Sequence, residues 1–312
     1  MSAINSILER LSDGQAHSLR ELEALPGMEA TVLAASLDTL AAWSVEIERV
    51  GDRVRWRSPR PLLSEAAIRS HFGAGCPEVD LRLSVDSTNQ RLRERFAHGR
   101  VCLAEHQSAG RGRRGRVWAS PAFANLYLSV GWRFSGGLEG LSGLSLAVGL
   151  AAAEALQSFC EPPIGVKWPN DLYVEGRKLG GVLVETVARG DDLNVVAGLG
   201  VNVLMEQASP EVDQPWTTLA RHGGERDRNR IAAALLRALT SLFRAAPAGI
   251  ATLLETAWPT RDLSLGRAVT VFTEEGRSEG IGSGIDEQGR LLVATAGGTR
   301  RFQVGDVSLR LA

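Results

Sequence analysis

Cysteine is scarce in this 312-residue chain: there are three, at positions 76, 102 and 160. An odd number at wide spacing makes neither a disulfide framework nor a metal-ligand pattern, so small buried apolar residues are their expected role, in a reducing compartment. Net charge is equally scarce. The 35 Lys and Arg nearly cancel the 36 Asp and Glu, leaving −1, which excludes a globally basic nucleic-acid binder and an acidic disordered chain. No apolar run reaches transmembrane length uninterrupted, and the N-terminus lacks a charged-then-apolar leader. These absences predict a soluble cytoplasmic protein with no membrane partner. The cationic motifs of the central region form neither a Ser–His–Asp triad nor a metal-binding histidine cluster.

What is present is concentrated in Gln107–Trp118, QSAGRGRRGRVW. Arg111, Arg113, Arg114 and Arg116 stand on a glycine-spaced frame with no acid among them. Gly110, Gly112 and Gly115 are expected to take positive φ and let the backbone approach a small anion. Arginine supplies the planar fork that suits carboxylate and phosphate. An Arg/Gly run alone reads as a disordered nucleic-acid arm. Here strand-like Val101–Glu105 and Asn125–Val130 flank it, and Trp118 and Pro121 fix its exit, so it reads as a binding loop on a rigid scaffold.

Three regions follow from hydrophobic spacing. In residues 1–60, Ile4, Ile7, Leu8 and Leu11 predict a helix stopped by Gly14. Ser18 and Glu21 form a capping box for a second helix ending near Pro26–Gly27. Leu33, Leu37 and Leu40 mark a third helix running to Trp43, and Val45–Arg57 reads as a hairpin turning at Gly51–Asp52. Three helices and a hairpin are the layout of a winged helix-turn-helix, an independent unit joined by a Pro59/Pro61 linker. Residues 64–259 predict a mixed sheet packed on helices. A helix follows Asp86–Asn89, Leu141–Phe159 is a buried helix, strands are expected at Ile164–Trp168, Leu172–Val174, Leu179–Val187 and Leu193–Val203, and Ile231–Phe243 is amphipathic. Residues 263–312 give five short strands, Ala268–Thr273, Arg277–Ile285, Arg290–Thr295, Thr299–Gln303 and Asp306–Leu311, which read as a small barrel. The fold class is α+β.

Four motifs of the central region belong together: Asp86-Ser87-Thr88-Asn89 at a helix start, the Arg/Gly loop, Lys167-Trp168-Pro169-Asn170-Asp171 between two strands, and Arg177-Lys178-Leu179-Gly180-Gly181 at a cationic turn. A helix N-terminus offers free N–H groups to an anion, although Ser and Thr there ordinarily only cap. Converging Arg and Lys suit a reaction between two anions, whose repulsion must be cancelled before bonds form. Attack of a carboxylate on the α-phosphate of ATP is such a reaction.

The segments DSTNQ, AEHQSAGRGRRGRVW, NLYLS, KWPNDLY and RKLGGVLVE, in this order, resemble the biotin–protein ligase family. With the N-terminal unit, the chain is similar to the family's bifunctional ligase and biotin-operon repressor members along its whole length. The resemblance implies a class II synthetase-like central domain, an SH3-like C-terminal barrel and a two-step reaction. Biotin and ATP, with Mg²⁺, give biotinyl-5′-AMP, and a lysine of the biotin carboxyl carrier protein of acetyl-CoA carboxylase then displaces AMP. It also implies a homodimer, at least with ligand. Ser87, Thr88, Asn89 and Gln107 would hold biotin's ureido ring. Gly110, Arg111, Gly112 and Arg113 would close over biotin and the acyl phosphate, and Lys178 would bind the reacting carboxylate and phosphate. Trp118 would pack near the ligand. Asn170 and Asn202 would serve the triphosphate and Mg²⁺ without fixed protein ligation of the metal, and Trp216 would face adenine. Asp171 would orient or deprotonate the incoming lysine. The empty loop is expected to be mobile, since like charges and backbone entropy both oppose order. A DNA-binding repressor and a lipoate-attaching ligase are the alternative readings. Against the first, the third helix contains no Lys, Arg, Asn or Gln, and residues 1–47 carry a net charge of −5. Only Arg49, Arg53, Arg55 and Arg57 of the hairpin could meet phosphates, so operator binding is expected to be weak or lost.

Overall fold

Helical spacing at the N-terminus becomes three helices in the computed structural model, which describes residues 3–135, 139–189, 192–207, 212, 214–273, 276–303 and 308–311. Helix α1 (Ala3–Leu11) buries Ile7, Leu8 and Leu11. Strand β1 (His17–Ser18) runs into α2 (Leu19–Glu23), where Ser18 and Glu21 make the expected reciprocal cap. Helix α2 stops short of Pro26, since the residue before a proline is driven out of the helical region. Helix α3 (Ala30–Ala42) turns Leu33 and Leu40 inward. Strands β2 (Ile47–Val50) and β3 (Arg53–Trp56) pair as a hairpin, with Val54 and Trp56 buried and Arg53 and Arg55 exposed, and the sheet order is β1-β3-β2.

The unit is not independent in its packing. Its buried cluster takes in Ala122 and Phe123 from the exit of the Arg/Gly loop. The Ala122 N–H donates to the Trp43 carbonyl at 3.1 Å, and the Trp43 ring stacks on His106 at 4.9 Å. Trp56, 3% exposed, lies in the same cluster with its ring 5.4 Å from that of Phe123. The expected proline linker is also strapped down. Arg228, 3% exposed, donates to the Pro61 carbonyl at 2.7 Å and pairs with Glu105, 2% exposed, at 2.5 Å. The Leu63 N–H donates to the same carboxylate.

Helix α4 (Glu65–Phe72), capped by Ser64, was not expected, because Ile68 is its one fully buried residue and leaves no periodic stripe. Then follow β4 (Val79–Val85), α5 (Thr88–Glu94), β5 (Val101–Gln107), β6 (Leu126–Ser135), α6 (Leu144–Gln157), β7 (Gly165–Lys167), β8 (Asp171–Val174), β9 (Arg177–Arg189) and β10 (Asp192–Val201). They form one seven-stranded sheet, β4-β5-β6-β10-β9-β8-β7. Only β4 and β5, joined through α5, run parallel; the other pairs are antiparallel. Helices α6 and α7 (Arg228–Ala245) pack on each other and on this sheet, burying its Val and Leu side chains. The short α8 (Ala248–Thr256) and α9 (Trp258–Arg261) were also missed, having few buried residues each to set a period.

The C-terminal strands β11 (Ala268–Thr273), β12 (Gly276–Ile285), β13 (Leu291–Thr295), β14 (Gly298–Phe302) and β15 (Ser308–Leu311) form an antiparallel sheet, β14-β13-β12-β11-β15. Asp306, expected to open the last strand, lies outside the described residues. The Trp168 indole N–H donates to the Gly289 carbonyl at 3.1 Å and ties this sheet to the central one. The architecture is mixed α+β, as expected. Among the described residues no single helix is long and apolar enough to cross a membrane.

Candidate active site

The Arg/Gly loop leaves the end of β5 and folds on itself. Arg111 pairs with Val117, the Gly112 N–H donates to the Arg116 carbonyl at 2.8 Å, and the Trp118 N–H donates to the Gly110 carbonyl at 2.9 Å. The expectation of three positive-φ glycines is corrected. Gly115 (φ 69°) is joined by Arg114 (φ 58°), while Gly110 and Gly112 stay at negative φ. Gly110 is needed for room instead: a Cβ there would fall 2.5 Å from the Trp118 carbonyl oxygen and 2.8 Å from Ser120 Oγ.

Beneath the loop lies a cavity of about 360 Å³. Gly181 lines it and belongs to a glycine tray on the sheet. Gly181 of β9 and Gly200 of β10 pair directly, and a Cβ on Gly200 would collide with the Trp118 indole lying on it. The pairing of β8 with β9 brings Asp171 beside Lys178, with Nζ 2.9 Å from Oδ1; their side chains are 22% and 14% exposed. The Lys178 ammonium also sits 5.4 Å from the centre of the Trp118 ring. Arg113 reaches in from the loop, its Nη1 donating to Asn170 Oδ1 at 3.4 Å, while Asn170 Nδ2 donates to the Val182 carbonyl. Asn202 Nδ2 donates to the Thr217 carbonyl at 3.2 Å. Trp216 is bridged to Lys178 through the backbone and carries the Arg221 guanidinium at 4.2 Å over its ring. Arg111 and Gly112 line the same cavity. Arg113, Trp118, Asn170, Asp171, Lys178, Asn202 and Trp216 are thus brought together.

The other expected residues form a separate, internally bonded group. Ser87 caps α5 by accepting from the Gln90 N–H. Thr88 donates from N–H and Oγ1 to Gln107 Oε1 at 2.9 and 3.3 Å, and Gln107 Nε2 donates to Ser120 Oγ at 3.1 Å. Asn89 fits over Gly198, where a Cβ would collide with its amide, and donates to Glu185 Oε2 at 2.9 Å. Ser129 Oγ stands 2.7 Å from Thr88 Oγ1 and 2.6 Å from Asn89 Oδ1. None of Ser87, Thr88, Asn89, Gln107 or Gly110 lines the first cavity. Gln107 and Gly110 line a second one, about 460 Å³, between the N-terminal unit and the sheet. Trp118 lines both, together with Val117, Ala119 and Met205; its indole N–H is buried without a hydrogen-bond partner. Sequence reasoning assigned no role to Ser129 or Glu185. A serine in the run Leu126–Trp132 of β6, fully buried among apolar side chains, was the available signal for the first.

Electrostatically, among the described residues the cavity gathers Arg111, Arg113, Arg114, Arg116, Lys167 and Lys178 against the carboxylate of Asp171. Such a site attracts anions and screens two of them from each other. Behind it, burial pushes the His106 imidazole down to about 4.

Comparison with known proteins gives first a class and then a family. Residues 82–202 match the biotin/lipoate A/B protein ligase family, and residues 264–310 match the biotin protein ligase C terminal domain. The bifunctional ligase/repressor BirA of Escherichia coli (strain K12) is 38% identical over 98% of this chain and 97% of its own. The biotin–[acetyl-CoA-carboxylase] ligase of Mycobacterium tuberculosis is 38% identical over 80% of this chain and 96% of its own. The structure of the Aquifex aeolicus biotin protein ligase in complex with biotin and ATP superimposes with a TM-score of 0.66 at 30% identity, covering 75% of this chain and 99% of that one. The chain belongs to the biotin–protein ligase family.

Proposed function

We infer that this chain is an ATP-dependent biotin–protein ligase. It joins biotin to ATP as biotinyl-5′-AMP and transfers the biotinyl group to a lysine of the biotin carboxyl carrier protein of acetyl-CoA carboxylase. The observation that carries this reading is the Lys178–Asp171 pair on the glycine tray under Trp118, faced by Arg113. In the first step a biotin carboxylate oxygen attacks the α-phosphorus, the bond to the β-phosphate oxygen breaks, and pyrophosphate leaves with the electron pair. Lys178 and Arg113 cancel the repulsion between carboxylate and phosphate. Arg111, Gly110 and Gly112 cover the anhydride and keep water from it. Ser87, Thr88, Asn89 and Gln107 hold the ureido ring behind Trp118. Trp216 meets adenine, and Asn170 and Asn202 serve the triphosphate. Mg²⁺ enters with the nucleotide; among the described residues no group of three or more His, Cys, Asp and Glu could hold it. In the second step the carrier lysine, neutral, attacks the acyl carbon and AMP leaves. Asp171 exchanges its Lys178 partner for the incoming amine and orients it.

Residues 1–60 form a winged helix-turn-helix, residues 64–259 the class II synthetase-like catalytic domain and residues 263–312 an SH3-like barrel. The free cysteines fit a reducing cytoplasm. A homodimer is supported by β9, which pairs with β8 only over residues 177–181 and leaves its farther edge, with exposed Val187, open to a second strand. Repressor activity is a second reading, favoured by the names of the relatives and opposed by the helix α3 surface.

Incubation with biotin and Mg-ATP, followed by native mass spectrometry for retained biotinyl-AMP, tests the ligase reading. Lipoate in place of biotin tests the alternative within the same ligase class. Retention with lipoate alone would overturn the assignment.

A further inference from the structure

Glu185 of β9 and Ser129 of β6 meet at Asn89. Asn89 Nδ2 donates to Glu185 Oε2 at 2.9 Å and to the Leu183 carbonyl at 3.2 Å. Both partners only accept, so the sense of this amide is fixed, and Asn89 Oδ1 points the other way, 2.6 Å from Ser129 Oγ. Glu185 is itself held, its Oε1 accepting from Arg93 Nη1 at 2.8 Å. Asn89 and Ser129 are both buried, and the Asn89 amide lies on the bare backbone of Gly198.

Counting protons gives the chain a direction. Asn89 Oδ1 has none to give, so the single hydroxyl proton of Ser129 is committed to it. The contact between Ser129 Oγ and Thr88 Oγ1, at 2.7 Å, must then take its proton from Thr88. In the empty site Thr88 Oγ1 also reaches Gln107 Oε1 at 3.3 Å, but that oxygen already accepts from the Thr88 N–H at 2.9 Å. With the Thr88 proton on Ser129, Thr88 Oγ1 and Gln107 Oε1 are neighbouring acceptors with no proton between them. An arriving N–H fits there. This inference rests on the ligase reading, in which Thr88 and Gln107 hold the ureido ring. We propose that Glu185 is a positioning residue for ligand choice: through Asn89 and Ser129 it holds Thr88 as an acceptor, so the site demands a ring N–H from its ligand. A cyclic urea supplies one, and the dithiolane ring of lipoate does not.

The test compares biotin with its two cyclic carbamate analogues, in which a ring oxygen replaces one ureido N–H or the other. Each is titrated calorimetrically into the unsubstituted protein, Glu185→Gln and Ser129→Ala. In the unsubstituted protein at least one analogue should bind about ten-fold or more weakly than biotin, because it leaves the acceptors facing an oxygen. Glu185→Gln keeps the shape, but its –NH₂ must face either Arg93 or Asn89, both donors, so the Asn89 amide loses its fixed sense. Ser129→Ala cuts the chain and frees the Thr88 proton to turn toward the ligand. In both variants the ratio of that analogue's Kd to biotin's should narrow by about five-fold or more. A role in packing alone would weaken all three ligands alike and leave the ratio where it was. An unchanged ratio in either variant, or equal binding of all three ligands by the unsubstituted protein, would overturn the assignment. No binding of biotin by the unsubstituted protein would overturn the ligase reading itself, and this inference with it.

Discussion

Single residues carry the chemistry, and each contact predicts its own kinetic signature. Arg113 bridges from the loop to Asn170 across the cavity mouth. Its replacement by alanine removes no core packing, so the fold should persist while biotinyl-AMP escapes faster. Losing one charge-assisted hydrogen bond to the adenylate should cost about 1.5–3 kcal/mol. Chasing radiolabelled intermediate from the variant measures this, and an unchanged dissociation rate would remove Arg113 from the site. Lys178→Ala should damage adenylation more than transfer from preformed biotinyl-AMP, by about 10²–10³ in rate. The variant also frees Asp171 from its ion pair, so equal losses in the two half-reactions would mean that the pair, not the lysine, matters. Most of these residues were legible in the sequence, because each lies in a short segment whose composition is unusual for its surroundings. Their division into two groups was not. It arises because Trp118 lies on Gly200 while Gln107 and Gly110 line a second cavity, and close approach between distant strands leaves no trace in spacing.

At the scale of elements, helices were legible where a full apolar stripe existed, as in α1, α6 and α7, and illegible where one or two residues anchor a short turn, as in α4 and α8. Strands in the C-terminal sheet were recognisable because turn residues separate them at short intervals. Helix α3 invites a direct test. Thr31, Val32, Ala34, Ala35 and Asp38 are exposed on it, and no cation accompanies them. Arg55 of the hairpin is paired with Glu48. Binding to a palindromic operator in the presence of biotinyl-AMP should therefore be weak at physiological salt, since each missing phosphate contact lowers the salt slope by about 0.9. Nanomolar, sequence-selective binding in an anisotropy titration would refute this. Strand β5 gives a second prediction through His106, which stacks on Trp43 and bonds Ser84 Oγ at 2.8 Å. Its pKa falls from 6.5 to about 4 on burial, so the folded state holds it neutral. The associated stability is complete above the unfolded value and is lost as pH falls from there toward 4, by up to about 1.4 kcal/mol per pH unit. Urea titrations between about pH 7 and pH 4.5 should show a shallower decline for His106→Phe, which keeps a ring against Trp43. An identical pH dependence in the two proteins would contradict the coupling.

On the scale of the whole molecule, the three regions were readable from changes in hydrophobic period, but their joining was not. Pro59 and Pro61 suggested a free linker, whereas the buried Arg228–Glu105 pair grips the chain at Pro61 and Leu63. Such contacts join residues 42 to 167 positions apart, and no local pattern announces them. Phe123 is the clearest case: it leaves the ligand loop, takes φ 61°, and packs edge-on against Trp56 with ring centres 5.4 Å apart. Chains of several units usually melt in several steps, because each core gives way at its own temperature. Here one phenylalanine belongs to two neighbourhoods at once, so the N-terminal unit cannot melt without stripping the loop exit, nor the loop exit without baring two indoles. Scanning calorimetry should therefore record the first sixty residues and the catalytic sheet as one cooperative transition, its van't Hoff and calorimetric enthalpies agreeing over that span. Phe123→Ala should split it into two peaks, and a wild-type thermogram already resolved into two would show that the shared core does not couple them.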